Sequence, residues 1–375
     1  MVGRVVVHVG QPKSATSYLQ TILWSNREAL RAQGVVVPGE QRRDHLWSSR
    51  LLREDPQITR APEHQQRAWE RVTSELASSS GTGLISHEFF AAASADQARR
   101  MVADLAPAEV EVVVTARDPL SLFTASWQES LKNGATAPMA DYGHGESSRS
   151  TAIWDWRTLD LRLVLERWAQ AVPAERVHVV VLDPGADRDD VWRRFAGLLG
   201  VDPAAVDLDA AFPNSSMGVA QAETLRRLNE RLTGFTKAFD KGVYLRSYVG
   251  DELLVTQGGE KFWPTEEQVA ECRRRASLLV DHLATSGVRV DGDAAHLLVP
   301  DTLPPRRVPS SVTDTEVADV ALDLVAAMLH DVRRLRGEVA EARRAAPEAG
   351  ATGSDDGPRT TVRRLLGRLP RPGGG

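Results

Sequence analysis

Apolar and polar positions follow two successive patterns along this chain. Up to about residue 200, short β-branched runs alternate with segments that are apolar at helical spacing. Val5–Val7 with Val9, Val35–Val37, Leu84-Ile85, Val110 to Thr115 and Val177 to Leu182 read as strands. Their near-continuous apolar character is that of strands buried on both faces. Between them, Tyr18 to Leu23, His45 to Leu52, Pro62 to Ser78, Ala95 to Leu105, a segment running through Trp127 to Lys132, Leu159 to Ala169 and Val191 to Leu199 read as helices. This alternation predicts an α/β fold, with a P-loop-like parallel sheet flanked by helices.

Beyond residue 200 the pattern is helical. Met217 to Leu232 and Glu266 to Ala284 are apolar at helical spacing, and Thr315 to Ala345 forms a long charged helix. From Pro347 onward Gly, Pro, Ser, Asp and Arg dominate, the composition of a disordered tail. The expected organisation is therefore a domain over 1–310, a charged helix over 311–346 and a basic tail over 347–375. Within the tail, Thr361 to Leu369 is a short basic amphipathic stretch. Its plainer reading is a solvated segment, ahead of a membrane or partner contact.

Composition narrows the chemistry. The 375 residues carry a net charge of −5, which argues against a nucleic-acid partner and leaves any anionic ligand to local groups. The single cysteine, Cys272, makes no intrachain disulfide. With no signal-peptide pattern and no apolar run of membrane-spanning length, it points to a reducing, cytoplasmic setting.

The densest chemistry follows the first strand. Gly10-Gln-Pro-Lys-Ser-Ala-Thr-Ser17 is a turn running into a helix. A helix N-terminus offers free N–H groups and a favourable dipole to a phosphate or sulfate. Lys13 adds positive charge, and Ser14, Thr16 and Ser17 add hydroxyls. The loop is not a Walker A motif, because Lys13 comes only three residues after Gly10 and no Gly stands directly before it. It resembles instead the 5′-phosphosulfate loop of the sulfotransferases, Pro-Lys-Ser/Thr-Gly-Thr-Thr/Ser, with Ala15 where Gly is usual.

Further segments are similar, in the same order, to bacterial, actinomycete-type sulfotransferases. They are Ser86-His-Glu88, Ala116-Arg-Asp118, Trp127-Gln-Glu129, Glu166-Arg-Trp168, Glu175 to Val179, and Asn214 with Leu225 to Asn229. The likeness spans roughly residues 4 to 300. It implies transfer of a sulfuryl group from 3′-phosphoadenosine 5′-phosphosulfate to an acceptor hydroxyl or amine, with no metal. Pro12, Lys13, Ser14, Ala15, Thr16 and Ser17 would hold the 5′ side of the donor, and Lys13 would act on the bridging oxygen. Arg117 would hold the 3′-phosphate with a serine. The family places that serine eight residues on, where this chain has Ala125. Ser126 stands one place late and Ser121 one turn nearer. Asn214 also falls in the donor-binding pattern.

The acceptor needs a base. His87 matches the position of the catalytic histidine of cytosolic members, and Glu88 matches the base of glycan-type members. As neighbours on a strand, the two should point to opposite faces. His45 is a third candidate, although a surface histidine at a helix start is its plainer reading. Trp127 reads as core, whereas Trp154 and Trp156, flanking the long 133–153 loop, read as ligand contacts, and the loop itself as a lid or acceptor-binding segment. Small molecules, glycolipids and glycans all remain open as acceptors. Two other readings stay open: a P-loop-type kinase, with Asp183 organising Mg²⁺, and a non-catalytic anion-binding scaffold.

Overall fold

A computed structural model describes residues 1–208 and 216–345. Asn214 and the 347–375 tail lie outside the described residues. Six strands form one sheet: β1 (Arg4–His8), β2 (Val35–Val36), β3 (Thr82–Ser86), β4 (Glu109–Ala116), β5 (Val177–Val181) and β6 (Arg289–Asp291). Their order is β2-β3-β1-β4-β5-β6, and every pairing is parallel. The valine runs sit at the centre, where both faces are covered.

The longer helices are α1 (Thr16–Ser25), α2 (Arg43–Leu52), α3 (Ala68–Ser78), α4 (Ala95–Asp104), α5 (Pro119–Lys132), α6 (Leu161–Trp168), α7 (Asp190–Leu199), α8 (Val219–Arg231), α9 (Glu266–Thr285) and α10 (Asp314–Ala345). The segment read as one helix from Pro62 to Ser78 is two, Glu63–Gln66 and then α3.

Period-two alternation divides the core. Val5, Val7, Val112, Val114, Val177 and Val179 pack with α3, α4, α6 and α9 through Val72, Met101, Leu165, Trp168 and Leu279. Val6, Leu84, Val113 and Val180 pack with α1 and α7 through Leu19, Ile22, Trp192 and Phe195. Each fully buried valine or leucine contributes about 1.5–3 kcal/mol of transfer free energy, so the central strands supply much of the sheet's stability.

At the carboxyl ends of the strands the second face turns polar. His8, Ser86 and Thr115 occupy core positions there, all of them buried. Ligands of open parallel sheets bind beyond this edge.

The described chain clusters into two units. Met1–Ser130, Ala137–Asn214 and Trp263–Pro305 carry the sheet. Leu131–Thr136, Ser215–Phe262 and Arg306–Gly375, so far as they are described, make the second. In that unit Asn229 Nδ2 donates to the Leu131 and Ala135 carbonyls, both at 2.8 Å. Tyr248 Oη donates to Asp331 Oδ2 at 2.9 Å, fixing α10 to the Lys241–Leu254 segment, which has π-helical turns. No helix among the described residues is long and apolar enough to cross a membrane.

Candidate active site

The loop from Val9 to Ala15 is built by backbone conformation first. Gly10 has φ 59°, and a Cβ there would lie 2.5 Å from Thr16 Cγ2, so only glycine fits. Lys13 and Ala15 also take left-handed conformations, with φ 70° and 63°. Such residues cost roughly 1–2 kcal/mol each, a strain that the surrounding contacts must hold.

Those contacts are specific. Ser14 Oγ donates to the Gln11 carbonyl at 2.7 Å, accepts from the Gln11 N–H at 3.2 Å and lies 3.0 Å from Thr115 Oγ1. Gln11 Nε2 donates to the Thr158 and Leu159 carbonyls, both at 3.1 Å. Ser14 is fully buried and its hydroxyl faces into the loop, so its expected role as a ligand donor is corrected to one of locking the turn. Pro12 and Thr16 are buried as well, and Ser17 is half-exposed. Helix α1 starts at Thr16 without a side-chain cap and without an acidic residue in its first turn. Its first N–H groups are therefore set to receive an anion.

Arg117 follows β4, the neighbour of β1, and its Nη1 donates to the Lys13 carbonyl at 3.4 Å. The two residues thus meet at one edge of the sheet. Burial lowers the Arg117 pKa and Asp118 opposes the shift. A guanidinium stays protonated through such a change. Lys13 Nζ lies 3.1 Å from Glu129 Oε2 on α5.

The two candidate serines differ. Ser126 is fully buried and its Oγ is 2.5 Å from Tyr142 Oη, so its hydroxyl is engaged inside the core, which corrects the expectation of an accessible ligand group. Ser121 is half-exposed in the first turn of α5, where Asp118 Oδ1 accepts its N–H at 2.7 Å.

At the end of β3 the strand gives way to a short 3₁₀ turn, Glu88–Ala92, with His87 as its cap. The alternation expected for His87 and Glu88 stops there. The two side chains approach instead, with His87 Nδ1 3.8 Å from Glu88 Oε2. His87 Nδ1 accepts the Phe89 N–H at 3.1 Å. Neutral His87 therefore carries its proton on Nε2 and has no free lone pair for a base. Burial lowers its pKa, against Glu88 and with help from Arg53 and Arg42, which keeps it neutral. Glu88 Oε2 accepts from Gln20 Nε2 at 2.9 Å, and Gln20 Oε1 accepts from Arg42 Nη2 at 3.4 Å. Arg42 Nη2 also reaches the Ser17 carbonyl at 3.3 Å, joining the carboxylate to the first turn of α1.

His45 is neither on the surface nor free to act as a base. Its Nε2 donates to the Pro38 carbonyl at 2.9 Å, and its Nδ1 accepts the Ser86 N–H at 3.1 Å. Both nitrogens hold backbone, so its task is structural.

Beneath the loop, His8 joins the two halves of the site. Its Nδ1 is 2.8 Å from Ser86 Oγ and its Nε2 3.2 Å from Thr115 Oγ1. Burial pushes its pKa down to about 4, against Glu88, so it is neutral near pH 7.

Of the tryptophans, Trp127 is core, as expected. Trp156 is buried as well, stacked on Phe123 at 5.2 Å, and it also lines a cavity beside residues 143–146. Trp154 is half-buried and meets Phe89 edge-on at 6.2 Å, and Phe89 meets His87 at 4.7 Å. From Ala137 onward the long loop is pinned rather than hinged. Arg157 Nη1 donates to the Ser147 and Ser148 carbonyls at 3.2 Å, and Arg53 and Ser150 bond reciprocally at 2.9 Å.

No protein-family model matches the sequence, and no curated protein matches it. Among solved structures, the crystal structure of a sulfotransferase from Alicyclobacillus acidocaldarius is similar over 56% of this chain and 85% of that one, at 17% identity and a TM-score of 0.38. A likeness that loose says nothing of what this chain acts on.

A groove of about 310 Å³ opens beside Ala15 and Tyr18, with Leu182, Asp183 and Arg188 along it. Asp183 Oδ1 accepts the Gly185 N–H at 2.7 Å, a turn contact. A larger cavity of about 470 Å³ lies between residues 143–146 and α9. Its Arg274 and Arg275 pair with Glu271, each at 2.7 Å.

Gln20, Arg42, Thr115 and His8 escaped the motif reading, and Glu129 fell within the Trp127-Gln-Glu129 segment without a role assigned to it. Gln20 alone left a signal, standing one helical turn after Thr16.

Proposed function

We propose that this chain is a sulfotransferase that uses 3′-phosphoadenosine 5′-phosphosulfate as donor and an acceptor hydroxyl or amine. The observation that carries the reading is the meeting of Arg117 with Lys13 beside the uncapped start of α1. Arg117 thus reaches the backbone of the loop that carries Lys13 into the helix N-terminus, an arrangement that suits a ligand with separated anionic groups.

The donor supplies an activated sulfuryl group on a nucleotide leaving group. The first-turn N–H groups of α1 bind the 5′-phosphate. Arg117 binds the 3′-phosphate as a fork, with Ser121 beside it. Lys13 neutralises the charge that develops on the oxygen bridging sulfur to the nucleotide. Glu88 takes the acceptor proton as the acceptor–sulfur bond forms and the bond to the bridging oxygen breaks. His87, with its proton on Nε2, donates a hydrogen bond in this region, and Phe89 with Trp154 forms an aromatic wall toward the acceptor.

The test is calorimetric titration with adenosine 3′,5′-bisphosphate and with ATP in EDTA, followed by transfer of labelled sulfuryl group to candidate acceptors. Tight binding of the bisphosphate over ATP, with transfer in EDTA, is expected. Equal binding of the two nucleotides would overturn the reading of the 3′-phosphate site. Stabilisation by the bisphosphate without transfer to any acceptor would favour a non-catalytic anion-binding protein.

A further inference from the structure

Helix α10 packs Val320 and Leu324 into its own unit but leaves a second apolar stripe facing outward. Leu322, Val325, Leu329 and Val332 are 68%, 51%, 64% and 45% exposed. Contiguous exposed apolar surface of this kind marks an interaction site. The spacing is three, four, three, which is the a/d rhythm of a two-helix seam. It also reads the same in both directions about a point near residue 327.

We infer that α10 pairs antiparallel with α10 of a second copy of this chain. The mirrored spacing sets Leu322 opposite Val332 and Val325 opposite Leu329, twice over, around one two-fold axis. Such an interface is self-complementary, as a symmetric dimer requires.

Charge selects the direction. From Asp314 to Ala327 the helix carries Asp314, Glu316, Asp319 and Asp323 and no Lys or Arg. The stretch that follows, to Ala345, carries Arg333, Arg334, Arg336, Arg343 and Arg344 against Asp331, Glu338 and Glu341, a net positive charge. Parallel pairing sets acid against acid and base against base. Antiparallel pairing sets the acidic half of each helix against the basic half of the other, with Asp319 of one copy facing Arg333 of the second.

The expected state is a dimer. Light scattering and sedimentation of the full chain across the micromolar range should show it, weakening with salt as the charged flanks are screened. Replacing Leu322→Glu and Leu329→Glu together should give a monomer with unchanged circular dichroism, since both side chains are exposed. Direction is read with a short thiol crosslinker. Ala326→Cys should link to itself, whereas Leu322→Cys should link only in mixture with Val332→Cys. A monomer at every concentration, with residues 346–375 covering the stripe, would overturn the inference. So would self-linking of Leu322→Cys, or a dimer that survives the double glutamate substitution.

Discussion

Lys13 Nζ and Glu129 Oε2 stand 3.1 Å apart, the lysine reaching a carboxylate that is almost wholly buried on α5. An anionic donor must compete with Glu129 for this cation. A pair with one partner partly exposed is worth up to about 1 kcal/mol. Glu129→Gln is therefore expected to tighten binding of adenosine 3′,5′-bisphosphate by about fivefold. Lys13→Ala should lower turnover more than donor affinity, because its charge acts on the transition state. Calorimetry beside steady-state kinetics checks both. Weaker binding in Glu129→Gln would show that Glu129 aims Lys13 at the donor instead.

The proposed choice of base rests on hydrogen-bond direction. Phe89 N–H occupies His87 Nδ1, which leaves Glu88 as the group able to accept a proton. Glu88→Gln should cut turnover by roughly 10²-fold or more while leaving bisphosphate binding unchanged. His87→Gln should cost less, and its pH–rate profile should keep its acid limb. Loss of that limb in His87→Gln would return the base to His87.

Ser126 faces Tyr142 and Ser121 faces outward at the start of the same helix. Ser121→Ala should weaken bisphosphate binding by about 1 kcal/mol, the worth of one hydrogen bond, and Arg117→Ala by more. Ser126→Ala should leave the dissociation constant where it is. The opposite ranking in the titrations would mean that α5 presents a different face to the donor.

Acid should destabilise the fold before the carboxylates titrate. His8 and His45 are both pushed down to about 4, chiefly by burial. Unfolded histidines titrate near 6.5, so between about pH 6.5 and 4 the unfolded chain binds more protons than the folded one. Stability is full above that window and falls as pH drops through it, by on the order of 3 kcal/mol per histidine at the low end. Melting curves from pH 7 to 5 should show the decline. His45→Gln, whatever its absolute stability, should show a shallower slope. An equal slope would mean that His45 is not held neutral.

The valine runs made the sheet legible, because strands covered on both faces need little besides apolar β-branched residues. The turn after β1 was legible through Gly10 and Pro12. Side-chain direction was not. Ser14 faces inward because Thr115, a hundred residues on, stands below it, and Ser126 because Tyr142 does. His45 is buried because Pro38 and Ser86 satisfy both its nitrogens, a fact that belongs to tertiary structure. β6, Arg289–Asp291, is short, polar and half-exposed, and shows no apolar rhythm. The left-handed Ala15 is where family pattern and local preference disagree, and the tight contacts of Ser14 and Gln11 hold it in place.

His8 touches Ser86 on one side and Thr115 on the other, and Thr115 in turn touches Ser14. The run ends on the Gln11 backbone, which Ser14 Oγ also holds, and all four side chains are buried. Positions 8, 86, 115 and 14 therefore cannot drift independently. A descendant that lost the imidazole would strand the Ser86 hydroxyl in the core and take one of two partners from Thr115, at a cost that selection would notice before any change in activity. Lineages should keep the quartet together or exchange it together for apolar residues. The loop proposed to hold the donor and the strand proposed to present the base are thereby inherited as one piece.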